Sequence, residues 1–308
     1  MYDQLHDYAM QPHVLEQTIG YVSNQLGRFV KQQDRVLICF PVLGPGSTGS
    51  IMEFAVRRLG ATPLIWGPDY RWKSLLRFAF SSRATTIIGP PLIILGLAKL
   101  AKATATPLFI RNVLTAGYPC TEWMIQGIEK GYDCRTWGCF DPVDEATILG
   151  FSCGLSRGVH LRTDAYTVEL LGKDGKPVSP GATGEVVFYP NDAPHIRYYT
   201  REYARIETVP CVCGAREVRL MDIQAGANLD QDLADVGAML HSWTSILDCK
   251  VYRGQYGLEL EIITFPGEKL PKLPSCAKQV VRTWDPERDM PFWSVPGWKN
   301  PRYSREKD

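Results

Sequence analysis

The 308 residues contain no stretch approaching the ~20 uninterrupted apolar residues that a membrane-spanning helix requires. The longest apolar run, Ile87 to Leu97, is broken by Gly89, Pro90, Pro91 and Gly96. Net charge is nearly absent as well. Thirty-four basic residues against 33 acidic ones leave +1, so neither a nucleic-acid binder nor a membrane-surface protein is expected. The opening Met1-Tyr2-Asp3-Gln4 lacks the basic-then-apolar order of a signal peptide, and a cytoplasmic protein is the expectation. Nine cysteines make an odd count. In a reducing compartment they read as thiols or metal ligands rather than disulfides. Internal repeats and low-complexity tracts are missing too.

What is present is an alternation. Val14 to Val30 places Val14, Ile19, Val22, Leu26 and Val30 roughly on one helical face. Arg35 to Phe40, Thr62 to Trp66, Thr85 to Ile88 and Asn112 to Leu114 suit buried strands. Ile51 to Leu59, Trp72 to Phe80, Pro91 to Ala103 and Glu122 to Lys130 suit helices between them. Strand alternating with helix predicts a parallel α/β sheet. Beyond Asp141 the pattern shifts to short strands, Val159 to Arg162, Thr167 to Leu171, Glu185 to Tyr189 and Tyr203 to Thr208, with a tight turn at Lys173-Asp-Gly-Lys176. After Gly226 a third region follows: helix over Leu229 to Trp243, strands over Asp248 to Tyr252 and Leu258 to Thr264, and a helix over Pro274 to Thr283. The expected fold is a mixed α/β body with a β-rich layer, residues 1–225, and a small α+β C-terminal domain with a tail, residues 226–308.

Two sets of residues suggest chemistry. Cys153, His160, Cys211 and Cys213 supply three sulfurs and an imidazole, a donor set suited to tetrahedral structural zinc. Their spacing is not that of a standard finger, and by spacing alone four ordinary core residues are the stronger reading. Gly44-Pro-Gly-Ser-Thr-Gly49 is either a packing turn or a phosphate cradle without its lysine. His195 reads as a satisfied histidine rather than a substrate ligand. Cys39, Cys120, Cys134, Cys139, Cys249 and Cys276 read as small buried residues.

The middle of the chain resembles the phenylacetate–CoA ligase branch of the adenylate-forming, acyl-CoA synthetase superfamily. That family's Gly-Ala-Glu-Pro turn has its counterpart in Ala116-Gly-Tyr-Pro119. Its aromatic-Gly-x-Thr-Glu segment corresponds to Trp137-Gly-Cys-Phe-Asp-Pro-Val-Asp-Glu145. Its Cys and Gly-x-His elements correspond to Cys153-Gly-Leu-Ser-Arg-Gly-Val-His160. Gly181-Ala-Thr-Gly-Glu185, Ile196-Arg-Tyr-Tyr-Thr-Arg-Glu202 and Cys211-Val-Cys-Gly214 follow in the family's order.

The resemblance implies activation of a small, aromatic carboxylic acid by ATP to an acyl-adenylate, then transfer to CoA or another thiol. It implies that Gly117, Tyr118 and Pro119 lie beside the adenine, with Glu202 on the ribose. Asp144 or Glu145 would hold Mg²⁺, Arg197 would act with them in catalysis, and the Cys₃His set would hold structural zinc. The C-terminal domain would act as a lid. Lys299 and Lys307 read as a solvated tail rather than its mobile lysine. A homo-oligomer, or a partner subunit completing the N-terminal layer, is an accompanying expectation.

Several positions depart from the family. About a dozen residues precede the Val14 helix, and none has the Ser/Thr/Gly-rich, Lys-ended composition of a phosphate loop. Tyr118 stands for Glu, Asp144-Glu145 for Thr-Glu, and Glu202 for the ribose-binding Asp. Arg201 stands for a glycine whose turn calls for positive φ. Weak ATP binding follows as an expectation. Two alternatives stay open: a non-catalytic scaffold or binding subunit, and a transferase using a pre-activated acyl or nucleotidyl donor.

Overall fold

The computed structural model describes residues 2–292 apart from 68, 118, 142–146, 156 and 226–230. Helices α1 (Tyr2–Ala9) and α2 (Pro12–Leu26) come first, the latter started by a proline whose missing N–H has no helical partner to lose. A βα alternation follows: β1 (Arg35–Ile38), α3 (Thr48–Arg58), β2 (Thr62–Ile65), α4 (Trp72–Ser81), β3 (Thr86–Gly89), α5 (Pro91–Ala103), β4 (Asn112–Thr115), α6 (Glu122–Tyr132) and β5 (Thr136–Phe140). These five strands pair in parallel in the order β2-β1-β3-β4-β5. Alternate residues face opposite sides, so Leu37, Ile87 and Val113 pack under α4, α5 and α6, while Val36, Ile38, Ile88 and Leu114 pack against α2 and α3. Gly96 of α5 is where the Trp72 ring comes closest, since a Cβ there would lie 2.2 Å from Trp72 Cη2.

At β5 the direction of pairing changes. β6 (Gly150–Phe151), β7 (Val159–Leu161), β8 (Tyr166–Leu171), β9 (Thr183–Pro190), β10 (Tyr198–Glu207) and β11 (Arg219–Ala225) extend the same sheet antiparallel, in the order β5-β6-β7-β11-β10-β9-β8. This is the β-rich layer, and Leu5 of α1 is buried in its core with Phe140, Leu149, Phe188 and Leu220. The Lys173–Lys176 turn is present, closed by Gly172 N–H donating to the Lys176 carbonyl at 2.8 Å. Its return arm is a single bridge, Leu171 to Pro177, and β9 begins later.

The third region holds α7 (Gln231–Ser242), β12 (Ile246–Gly254), β13 (Gly257–Thr264) and β14 (Lys278–Thr283). β14 corrects the helix expected over Pro274 to Thr283. It pairs in parallel with β13, and all six residues are exposed. Val280 and Val281 are β-branched and favour an extended chain. Leu247, Ile263 and Phe265 of this region join the core cluster beneath α5. Most of the final twenty residues, including Lys299 and Lys307, lie outside the described residues. Among the described residues no helix is long and apolar enough to cross a membrane.

Candidate functional site

A cleft of about 680 Å³ opens where the parallel half of the sheet meets the antiparallel half. Thr115 at the end of β4, Trp137 to Phe140 of β5 with Asp141 beyond them, Ser152 and Val159 on one side, and Glu202 and Leu220 to Gln224 on the other line it. The carboxyl ends of parallel strands, beside a change in sheet direction, are the ordinary place for a ligand in such a sheet. The side chains are locally fixed. Thr115 Oγ1 donates to the Trp137 carbonyl at 3.1 Å, and Ser152 Oγ accepts from Gly138 N–H at 2.8 Å.

Of the five carboxyl groups that line this space, Asp141 and Glu202 sit deepest in the sheet, under different conditions. Asp141 is buried and accepts a 2.5 Å hydrogen bond from Thr48 Oγ1, at the first turn of α3. Glu202 Oε2 is buried without a hydrogen-bond partner among the described residues. Burial, with the nearby negative charge of Asp141 adding to it, pushes the Glu202 carboxyl up to about 8. Glu202 is therefore largely protonated at neutral pH, not the free carboxylate that a simple Glu-for-Asp replacement suggests.

Asp141 was missed in the sequence, and a signal for it exists. Counted from Trp137, the pentad Trp137-Gly-Cys-Phe-Asp141 has its acid in the fifth position, where aromatic-Gly-x-Thr-Glu has one. The more conspicuous Asp144-Glu145 pair drew attention away. Asp144, Glu145 and Tyr118 lie outside the described residues. Pro119 lines the cleft. Gly117 does not, but its φ of +74° and the approach of Phe40, whose Cε1 would lie 2.8 Å from an added Cβ, explain why glycine stands there. Arg197 is not among the cleft residues. It forms an ion pair with Glu169 and lies over the Tyr189 ring at 5.5 Å. His195 is exposed.

The Gly44–Gly49 turn serves α3. Ser47 caps that helix, its Oγ accepting from Ser50 N–H at 3.4 Å, and Thr48 holds Asp141. Of the cysteines read as buried, Cys39, Cys139 and Cys249 are so, while Cys120, Cys134 and Cys276 are partly exposed.

Arg201 takes φ = +58° at the β-bulge between Tyr199 and Tyr203, where β10 slips against β9. The turn that calls for glycine is thus retained with an arginine in it, and the left-handed geometry costs roughly 1–2 kcal/mol. Arg201→Gly is expected to raise stability by roughly 0.5–1 kcal/mol, the remainder being lost to the freer unfolded chain. Urea midpoints at constant slope measure this, and a lower midpoint for the glycine variant would rule out strain at the bulge.

Cys153, His160, Cys211 and Cys213 converge on one point, with all four ligand atoms within 4.8 Å of one another. β7 pairs with β11, setting His160 opposite Arg219, and this register brings the loop after β6 beside the loop between β10 and β11. Cys153 Sγ lies 3.6 Å from Cys211 Sγ, and Cys213 Sγ lies 3.5 Å from His160 Nε2. Tetrahedral coordination with Zn–S near 2.3 Å has ligand–ligand edges of about 3.8 Å, close to both. Leu155 N–H and Ala215 N–H each donate to a ligand sulfur at 3.4 Å, and the Ala215 bond opposes the rise that burial imposes on the Cys213 thiol. Gly214, with φ = +80°, turns the chain after Cys213. His160 Nδ1 is buried with no hydrogen-bond partner among the described residues, so the ring is the ligand held least firmly from behind. The donor set fits a closed, structural zinc site.

No sequence-family model matches this chain, and no curated protein matches it. Solved structures do, and the fold they define is that of adenylate-forming enzymes. One is 2-hydroxyisobutyryl-CoA ligase in its postadenylation state with 2-HIB-AMP, at a TM-score of 0.65 and 15% identity over 80% of this chain and 58% of that one. Benzoate CoA ligase from Burkholderia xenovorans matches at 0.59 and 11% identity, over 86% and 61%. An anthranilate CoA ligase in complex with anthranoyl-AMP matches at 0.56 and 13%, over 86% and 59%. The chain spans about three fifths of the length of these proteins. At such identities the likeness establishes the fold and leaves the chemistry to the site.

Proposed function

We propose that the cleft binds the adenylate of a small carboxylic acid, aromatic in preference, and that the chain is related in mechanism to AMP-forming acid–thiol ligases. The observation that carries this reading is the convergence of Asp141 and Glu202, from β5 and β10, on one cleft at the carboxyl ends of the parallel strands. Glu202 contacts ribose hydroxyls, donating from its carboxyl when protonated and accepting when ionised. Pro119 and Tyr118 flank the base. Trp137, Ile125 and Leu220 supply apolar wall for an acyl group. Asp141, oriented by Thr48, and the acidic pair Asp144 and Glu145 are the groups that would hold Mg²⁺. The ion supplies charge neutralisation at the phosphates when bound. CoA or another thiol is the acceptor.

The Cys₃His set holds zinc in a structural role. It has no open position facing the cleft chemistry and fixes the wall that carries Val159 and Leu220.

A second reading has its own support. Among the cleft residues the cations are Arg135 and Arg157. Arg157 pairs with Glu122 at 3.0 Å, and Arg135 donates to the Gly154 carbonyl. Arg197 is turned elsewhere, and the Gly44–Gly49 turn is taken up by α3. A triphosphate finds little positive charge there, which favours a non-catalytic nucleotide- or acid-binding subunit.

Side-by-side calorimetric titration of AMP and ATP–Mg²⁺ separates the readings. Each lost charge-assisted bond to phosphate is worth about 1.5–3 kcal/mol, so this chain is expected to prefer AMP by a hundredfold or more relative to a complete ligase. Pyrophosphate exchange with benzoate-type acids then reports activity. Low-micromolar ATP binding with brisk exchange supports the ligase reading. AMP binding without exchange leaves the subunit reading standing, and no binding of either nucleotide sinks both.

A further inference from the structure

The unit formed by residues 231–292 has the size of a lid, but its contacts are those of a core layer. We infer that it is a fixed layer of the body, locked in place by Lys99, and that it does not close over the cleft. Helix α5 is buried from Pro91 to Ala101, and Lys99 is the one charge within that part, Lys102 beyond it being exposed. Its Nζ donates to three carbonyls at the end of α7 and the turn into β12: His241 at 2.5 Å, Trp243 at 3.2 Å and Ile246 at 3.0 Å. A helix C-terminus presents unpaired carbonyls and partial negative charge, and the ammonium answers both. Burial draws the Lys99 pKa down to about 8, and the neighbouring Asp248 opposes that fall. One charge thus ties together three backbone carbonyls of this unit, of which the Trp243 carbonyl also accepts from Ile246 N–H at 3.2 Å.

Other contacts close the same seam. Leu247, Ile263 and Phe265 share a core with Trp72 and Leu97, and Trp123 stacks on His241 with ring centroids 6.1 Å apart. Trp72 N–H donates to the Asp289 carbonyl at 2.9 Å, and Phe292 N–H donates to the buried Asp248 carboxylate at 2.9 Å. Domains that move against one another meet through modest, polar interfaces. Swinging this unit away would expose a continuous apolar face and strip Lys99 of its acceptors. The cleft wall, meanwhile, ends at Gln224, and no described residue from 231 onward lines it. Ligand entry is therefore not gated by this unit.

The test is hydrogen exchange by mass spectrometry on the full chain, alone and with AMP or ATP–Mg²⁺. In the unmodified protein α7 and β12–β13 should be protected together with α5, and unchanged by nucleotide. Lys99→Met should lower protection over residues 240–249 and in α5 by about a hundredfold, since several bonds to a charged group go together, and leave β1, β3 and β4 nearly unaffected. If that variant does not fold, Trp123→Ala probes the same seam with a smaller loss. Faster, independent exchange of residues 231–292 in the unmodified protein would overturn the inference. So would a nucleotide-induced change confined to α7 and β12, or a Lys99→Met variant with undiminished protection. The nucleotide-free measurement decides the matter whether or not AMP binds, so failure here is distinct from failure of the adenylate reading.

Discussion

Zinc bound at Cys153, His160, Cys211 and Cys213, as proposed above, is expected to add on the order of 4 kcal/mol of stability, the effect of a ligand held a thousandfold above its Kd. The effect is large because the unfolded chain has no preformed site, so metal-binding free energy becomes folding free energy. The sulfurs and imidazole are already within 4.8 Å of one another, so little reorganisation is lost on binding. The measurement is elemental analysis of protein purified without chelators, followed by calorimetric melting before and after 1,10-phenanthroline. Cys211→Ser should reproduce the chelator effect and be insensitive to it. Acidification should release the ion with the same loss, because the ligands bind deprotonated. Substoichiometric metal with an unchanged melt after chelation would mean that the four residues are ordinary core.

The second large effect concerns Glu202→Gln and depends on pH. The carboxyl has its pKa raised in the folded state from an ordinary 4.5 to about 8. A raised acid binds its proton more tightly when folded, so its contribution is fully present below pH 4.5 and is lost as pH climbs through about 8. Carrying the charge into that site at high pH costs on the order of 4 kcal/mol, and glutamine, of the same shape and neutral, does not incur it. The difference between variant and parent should therefore be small at pH 5 and should grow to a few kcal/mol in the variant's favour at pH 9. Urea melts of both proteins at the two pH values measure it. A difference that does not change with pH would show that Glu202 is not held neutral. Asp141→Asn should narrow the same difference, since it removes the charge that adds to burial.

Much of the body was readable from the sequence because its buried strands and helices carry strong patterns. Helix α5 was delimited to the residue at both ends, between the Gly89-Pro90 that precedes it and the Thr104-Ala-Thr-Pro107 run that follows. β5, β6 and β11 were not anticipated. β6 has two residues, too few for any period, and β5 has a glycine in its centre with cleft-facing residues of mixed polarity. β14 was read as helix because an edge strand exposed on both faces has no alternation to show. Cys153, His160, Cys211 and Cys213 were singled out as a set through their chemistry and order, and the four side chains do converge, whereas Asp141 required the pentad to be counted in register. Lys99 carried a signal that went unread, since a lysine inside an otherwise apolar helix must find acceptors.

The eleven-stranded sheet is not equally well stitched along its width. β8 and β9 share six residue pairs in register, but β5/β6, β6/β7 and β7/β11 share two each. The thin stretch is where the cleft lies and where the loops carrying the Cys₃His set meet. In mechanical terms the sheet has two stiff panels and a slender spine, and an ion in the proposed knuckle site would be the rivet across that spine. A thermal fluctuation or an applied load concentrates there, so the demetallated protein should part along β6 and β7 first, widening the cleft while each panel keeps its own packing.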